Sequence, residues 1–461
     1  MSRAIAPKAS VAMTEEEEML RRTDKGKLLF TSYQGRNCAL FLQKGRLVEA
    51  SFFSKESGKV GAIYIGKVKN VAQNLNACFV EIANSEICFL PMKDATAPYM
   101  VNRRFDGRIL EGDELLVQIV RDAQKTKKAS VTAEISLSNA YFVLTTGTTK
   151  TGYSLKLSQE KRQVLKKCFL EKAIVDDNGC LAQGCDALLS ISDASKMEEE
   201  GIRLDLLPLP PMGLVVRTRA GELKSEEALW RHFFSLSSQF ILLLHTALHR
   251  NCFACLKDAD SIWKSVTEPF VSGGNQPEEI VTDQKDAYDE LVKYYSEDIG
   301  EGENHPKIRF YQDNMLSLSS LYSLDKKMEE ALNSRVWLKS GAFLVIESTE
   351  ALTVIDVNSG KYESGKDANE TYRKINREAA EEVARQLRLR NLSGIIIVDF
   401  INMKSEQDKK SLLYFLKELT EKDRIPTKVV DMTPLGLVEI TRKKINKPLK
   451  EQFFQANTKW Q

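Results

Sequence analysis

The sequence predicts a multidomain chain that joins α+β and α/β parts. Three observations carry this. The chain has 461 residues, more than a single hydrophobic core usually organises. Residues 58–135 read as a run of short strands with aromatic and basic residues, the pattern of a small closed barrel. Residues 342–400 read strand, strand, long helix, strand, and the last three make a βαβ unit whose two strands run parallel.

In chain order, residues 1–25 are expected to form a disordered tail, with TEEEE at 14–18 as a solvated stretch. LLFTSY, CALFLQ and RLVEASFF follow as strands, separated by turns at Gln34-Gly35-Arg36 and Lys44-Gly45. AIYIGKVKNV, CFVEI, ICFLPM and ELLVQIVR are the expected barrel strands; of the small barrels, the OB type is the one that holds oligonucleotides. SQEKRQVLKKCFLEKA reads as an amphipathic helix with Val164, Leu165, Cys168 and Phe169 among its apolar positions. GLVVRT is a buried-looking strand, and Ser225-Glu-Glu opens a helix expected to run to about Arg250. A loop is expected at 271–279, then helices near 284–295 and 317–332. AFLVIES and ALTVIDVN are strands. Ile375, Ala379, Val383 and Leu387 recur every four residues and define a helix over 372–390. Residues 395–400 are almost continuously apolar, as expected of a strand covered on both faces. A helix at 405–419 and a strand at 427–432 extend that sheet.

Lys plus Arg number 66 and Asp plus Glu 64, so the net charge of +2 neither demands nor excludes a nucleic acid. Basic runs at 121–128, 161–167 and 442–450 are either phosphate contacts or solvated faces. The longest apolar run, near 240–244, is far too short to span a bilayer, and the N-terminus shows no basic-then-apolar signal, so a cytoplasmic location is expected. The eight cysteines make no dense framework and are expected to be reduced. His245, His249, Cys252 and Cys255 fall in one short stretch. On a straight helix they would spread over roughly 15 Å, so a shared metal would need a break near Asn251; packed thiols are the simpler reading.

The chemistry concentrates near two acids. Asp356 lies near the end of one parallel strand and Asp399 near the end of the other. Carboxyl ends of strands form the usual ligand crevice of open α/β sheets, and neighbouring strands are about 4.8 Å apart. Two carboxylates there can share one hard cation. Magnesium suits them, because it takes one or two carboxylates and completes its shell with water and substrate phosphate. Flanking apolar residues suggest that unpartnered acids would suffer a desolvation cost, and spacing alone leaves a metal site and a structural pair both open. Asn358 can orient a phosphate or a water, or serve as a turn amide. Lys361 is near the same mouth without an assigned role.

TEALTVIDVNSGKYES, followed by NREAAEEVARQLRLRNLSGIIIVDFINM, resembles the catalytic signature of the ribonuclease E/G family. The resemblance continues in VRTRAGELKSEEAL, in KVGAIYIGKVKNV through ACFVEIANSEICFLPMK, and in LGLVEITRKK, and it covers roughly residues 27–450. It implies Mg²⁺-dependent endonucleolytic cleavage of single-stranded A/U-rich RNA, leaving a 5′-phosphate and a 3′-hydroxyl, with Mn²⁺ able to substitute. It assigns the metal to Asp356 and Asp399 and an assisting role to Asn358. It implies a ribonuclease H-like core in two parts, 26–57 and 251–335, an S1 barrel of the OB type at 58–135, and a 5′-sensor region at 136–250. A DNase I-like catalytic domain at 336–461 completes the implied fold.

Phe79 and Phe89 match the two phenylalanines that such a barrel presents to RNA, and Lys127 matches a lysine near the RNA backbone. Read from the residues alone, both rings are either stacking platforms or barrel core. Arg217 and Thr218 match the centre of a pocket that senses a 5′-monophosphate, where an arginine fork and a hydroxyl suit phosphate oxygens. Val143 matches a hydrophobic member of that pocket. Asn139 stands where the family commonly has glycine. The C-P-x-C motif through which two protomers often share a zinc is not found in residues 446–461. A short, ribonuclease G-like member is therefore expected, without that structural Zn²⁺, and any homodimer would use other surfaces. Processing of ribosomal or transfer RNA and decay of messenger RNA all fit the resemblance. The competing reading is a non-catalytic RNA-binding scaffold of the same fold.

Overall fold

The computed structural model of the chain describes residues 26–54, 58–123, 127–272, 277–297, 306–360 and 368–455. The expected N-terminal tail, part of the loop expected at 271–279, and Lys361 lie outside them. The chain divides into two compact units, one of residues 1–54, 275–288 and 306–461, the other of 55–274 and 289–305.

The first unit holds two sheets. In one, β1 (Lys27–Tyr33), β2 (Arg36–Gln43) and β3 (Arg46–Phe53) form an antiparallel meander. Both turns expected from the sequence are present, with Gln34, Gly35, Lys44 and Gly45 all at positive φ, as two-residue type I′ hairpins require. β14 (Glu279–Thr282) joins β1 in parallel and β15 (Lys307–Phe310) joins β14, giving the order β15-β14-β1-β2-β3.

The other sheet contains β16 (Arg335–Trp337), β17 (Phe343–Ser348), β18 (Leu352–Asn358), β19 (Gly394–Asp399), β20 (Thr427–Met432) and β21 (Leu437–Arg442). Their order is β16-β17-β18-β19-β21-β20, and only β18 and β19 run parallel. The helix Ala368–Leu389 makes the expected crossover between them. Its Ile375, Ala379, Val383 and Leu387 pack into one core with Ile355, Ile396 and Val398 of the sheet. The helix Glu406–Glu421 starts where the Ser405 hydroxyl accepts from the Asp408 N–H.

Two expectations are corrected here. β19 is not covered on both faces: Ile396 and Val398 are buried, whereas Ile395 is 51% exposed. The core forms on one face, so alternate side chains face outward within the unit. The single helix expected over 317–332 is two, Leu318–Leu321 and Leu324–Leu332, because Ser323 takes a left-handed conformation with φ 51.

In the second unit, β4 (Ile63–Ala72), β5 (Ala77–Glu81), β6 (Ile87–Pro91), β7 (Glu114–Arg121) and β8 (Ser130–Thr132) close on themselves. β4 pairs with both β5 and β7, β5 with β6, β6 with β8, and β8 with β7, which makes the expected OB-like five-stranded barrel. Gly66 permits the closure, since a Cβ there would meet Val80 Cγ1 at 2.5 Å and Val117 Cγ2 at 3.0 Å. A four-stranded sheet follows, of β9 (Ser136–Ser138), β10 (Phe142–Thr146), β11 (Thr151–Tyr153) and β12 (Met212–Val216) in the order β11-β12-β10-β9. The expected long helix spans Glu226–His249, with the Ser225 side chain accepting from the Ala228 N–H. The helix Gln159–Glu171 buries Leu165 and Phe169, but Val164 lies on its outer side, 62% exposed. β13 (Cys255–Lys257) pairs with β4. Among the described residues no helix is long and apolar enough to cross a membrane.

Candidate active site

The alternation of β18 decides where its polar residues go. Thr353, Ile355 and Val357 are buried, so Val354, Asp356 and Asn358 share the opposite face. β19 alternates likewise, with Ile396 and Val398 inward and Asp399 outward. Asp356 and Asp399 stand directly opposite one another in the parallel register. Their backbones are therefore about one strand spacing apart, ~4.8 Å. Asn358 Nδ2 donates to Asp356 Oδ2 at 2.8 Å, which orients that carboxylate.

Both acids are exposed. The expectation that flanking apolar residues would desolvate them is thus corrected: those neighbours point into the core, and the carboxylates point away from it. The pair needs no buried counter-charge, and solvent water is available to complete a cation's shell.

The donor set offers oxygen only: two carboxylates and an amide. That suits a hard ion such as Mg²⁺, which keeps several waters, and it lacks the sulfur and imidazole ligands of a zinc site. Among the described residues no group of three or more His, Cys, Asp or Glu side chains is placed to hold a metal. The His245 and His249 rings lie against each other at a tilt, with centroids 4.5 Å apart, near the end of their helix. Cys255 donates to the Lys257 carbonyl at 3.3 Å.

A residue that the sequence reading passed over holds this site in place. Asn376 is 1% exposed on the core side of the crossover helix. Its Nδ2 donates to the Ile401 carbonyl at 2.7 Å, and its Oδ1 accepts from the Ile401 N–H at 3.0 Å. One amide thus satisfies both backbone groups of the segment just beyond Asp399. The signal for it was an asparagine beside Ile375, at the buried stripe of an otherwise apolar helix face.

In the barrel, Phe79 and Phe89 are directly opposed on β5 and β6, with centroids 6.0 Å apart. Both are half-buried, while their neighbours Cys78, Val80, Cys88 and Leu90 fill the core. The two rings therefore belong to the barrel wall. Lys128 Nζ lies 5.0 Å from the Phe79 centroid, and the neighbouring Lys127 is exposed. Of the expected basic runs, that at 442–450 is corrected in part. Arg442 is not a phosphate contact: its Nε donates to Asp423 Oδ2 at 2.7 Å, with both side chains buried.

The residues matched to a phosphate pocket lie together on the four-stranded sheet. Val143 pairs with Val215, and Arg217 continues beyond Val216, its N–H bonded to the Tyr141 carbonyl at 2.8 Å. Burial holds the Arg217 guanidinium below its usual range, and Tyr294 partly offsets this. That guanidinium is ion-paired with Glu268, whose other oxygen accepts from the Tyr294 hydroxyl. Thr218 Oγ1 shares a hydrogen bond of 2.7 Å with Ser154 Oγ. Asn139 does not need a glycine's conformation, since its φ is not positive. Its Oδ1 accepts from the N–H groups of Tyr141 at 3.0 Å and Phe142 at 2.8 Å, and its Nδ2 donates to the His232 carbonyl at 2.9 Å. The side chain closes the turn by local hydrogen bonds, as asparagine commonly does.

Comparison with known proteins places the sequence among ribonucleases. A sequence model described as the ribonuclease E/G family matches residues 190–445. Ribonuclease G of Salmonella typhimurium (strain SL1344) is 30% identical over 398 residues, which span 84% of this chain and 73% of that protein. Ribonuclease G of Escherichia coli (strain K12) is 29% identical over 411 residues, again 84% and 73%. Ribonuclease E of a Synechocystis strain is 32% identical over 415 residues, covering 87% of this chain and 55% of that protein.

Proposed function

This chain belongs to the ribonuclease E/G family, and on that premise we propose that it is an endoribonuclease that hydrolyses single-stranded, A/U-rich RNA with Mg²⁺ held by Asp356 and Asp399. The observation that carries the reading is the direct register of those two residues on adjacent parallel strands, both exposed, with Asn358 bonded to Asp356. A binding scaffold has no use for two like charges facing each other across a strand spacing, because their repulsion destabilises the fold unless a cation sits between them.

The chain's own residues divide the work. Asp356 and Asp399 would hold the ion, and Asn358 fixes the direction of the Asp356 carboxylate. Asn376 keeps the backbone beyond Asp399 from shifting. When bound, Mg²⁺ supplies charge that offsets the developing negative charge on the phosphate oxygens and orients the attacking water. Phe79 and Phe89 offer rings for unpaired bases, with Lys127, the chain neighbour of the Lys128 that lies over Phe79, for the RNA backbone. Arg217, Thr218 and Val143 form the subsite for a 5′-monophosphate. The domain reading follows the same premise: an S1 barrel at 58–135, a 5′-sensor region at 136–250, ribonuclease H-like parts at 26–57 and 251–335, and a DNase I-like catalytic part at 336–461.

The test is cleavage of an end-labelled single-stranded RNA, with and without Mg²⁺, beside Asp356→Asn and Asp399→Asn. Either substitution is expected to abolish cleavage while RNA binding persists. A variant free of contaminating nuclease that still cuts at the wild-type rate would overturn the assignment. Wild-type protein that binds RNA but yields no product with Mg²⁺ would establish the scaffold instead.

A further inference from the structure

The outward face of the six-stranded sheet carries more than the two acids. On β16, Val336 is buried, so Arg335 and Trp337 share the outward side. Register then defines two rows across the sheet. One runs Trp337, Phe343, Asn358; the other runs Arg335, Val345, Asp356, Asp399. Phe343 is thus the cross-strand neighbour of Asn358 and the diagonal neighbour of Asp356, a relation that spans about 7–8 Å between backbones. Trp337 stands one strand further out, about 10 Å from Asn358.

Trp337 and Phe343, with Arg335 beside them, form an open platform. Trp337 is 63% exposed, although tryptophan is the side chain with most to gain from burial. Its ring centroid is 5.1 Å from that of Phe343. The Arg335 guanidinium lies 4.5 Å from the Phe343 centroid and 5.8 Å from that of Trp337. Among the described residues Arg335 forms no ion pair with a carboxylate. An exposed tryptophan and a half-buried phenylalanine beside an arginine are the elements with which proteins hold unpaired nucleotides: the rings stack on bases, and the guanidinium takes a phosphate or stacks in turn.

We propose that Trp337, Phe343 and Arg335 bind the nucleotide next to the scissile phosphate of a single-stranded RNA, with its base stacked on the Trp337–Phe343 pair and its phosphate at Arg335. Its place relative to the cut rests on the reading of Asp356 and Asp399 as the cleavage site; the binding itself does not. RNA is favoured over a second copy of the chain because the platform adjoins the proposed phosphodiester site and carries an arginine that forms no ion pair among the described residues.

The experiment measures affinity for a fluorescent A/U-rich oligoribonucleotide in EDTA, for wild type, Trp337→Ala, Trp337→Phe and Arg335→Gln, and then KM and kcat in Mg²⁺. Trp337→Ala is expected to weaken binding and raise KM by about tenfold, within the range for one stacked base, with kcat nearly unchanged. Trp337→Phe should retain most of the affinity, which a folding defect would not allow. RNA should also quench tryptophan emission in wild type, and the quenching should be smaller in Trp337→Phe: Trp230 and Trp263 are buried, and the fourth tryptophan, Trp460, lies outside the described residues and is unchanged between the two proteins. Unchanged affinity in Trp337→Ala overturns the proposal. So does a dimer in sedimentation that Trp337→Ala dissolves while RNA affinity stays the same. Should Asp399→Asn continue to cut, the catalytic reading fails separately, and the EDTA binding arm still decides the platform.

Discussion

Arg217 has one guanidinium and two anions that could claim it. In the folded chain Glu268 holds it, and Glu268 is itself fixed by the Tyr294 hydroxyl. A terminal phosphate arriving at Arg217 must displace that carboxylate or share the fork with it, and two anions on one arginine repel. If Arg217 takes a terminal phosphate as proposed, Glu268 competes with it. Glu268→Gln keeps the shape and removes the charge, so the preference for 5′-monophosphorylated over 5′-hydroxyl RNA should rise. About fivefold, or roughly 1 kcal/mol, is the expected scale for a contact that is a fifth exposed to solvent. Arg217→Ala should erase the preference. Matched RNAs differing only at the 5′ end provide the measurement. Equal loss on both RNAs would reveal a folding defect, and an unchanged ratio in Arg217→Ala would remove this residue from the pocket.

Among the secondary elements, the strands that carry the acids are braced from beyond their own sequence. β21 inserts between β19 and β20, and Arg442 at its end turns inward. Arg442 Nη1 donates to the Leu392 carbonyl at 2.9 Å and to Asn391 Oδ1 at 2.8 Å, and its Nε donates to Asp423. The side chains are 2% and 4% exposed, so removing one partner leaves the other charge buried and unpaired. Arg442→Ala is expected to destabilise this unit by about 3–5 kcal/mol, whereas Arg442→Met, which fills the space, should recover part of it only when paired with Asp423→Leu. Urea unfolding of the single and double variants measures this; a loss below about 1 kcal/mol in Arg442→Ala would mean that the pair contributes little. The same elements show what the sequence could convey. Period-two alternation identified β18, and the four-residue spacing of Ile375, Ala379, Val383 and Leu387 identified the crossover, so Asp356 and Asp399 could be placed side by side. Three things were not legible. The outward direction of the acids depended on which face the helices cover. Partners such as Glu268 and Asn376 act through contacts distant in sequence. β8 and β16, three residues each, are too short to show a period, which is why Trp337 carried no signal.

For the molecule as a whole, the charge is nearly balanced: 66 basic against 64 acidic residues give a net +2. The net charge itself supplies little attraction for RNA, so local contacts are expected to supply the affinity. Salt dependence separates their kinds. Each phosphate neutralised on a single strand contributes a slope of about −0.7 in log affinity against log salt, whereas stacking contributes almost none. Anisotropy titrations in EDTA, from about 50 to 300 mM KCl, should therefore give a shallow slope for wild type, of only a few phosphate contacts. Lys127→Ala should flatten it by about 0.7. Phe79→Ala should lower affinity equally at every salt concentration and leave the slope intact, because its half-buried ring offers a base surface but no charge. A steep wild-type slope that neither variant alters would mean that the RNA follows a basic surface elsewhere, and the barrel wall would lose its place in binding.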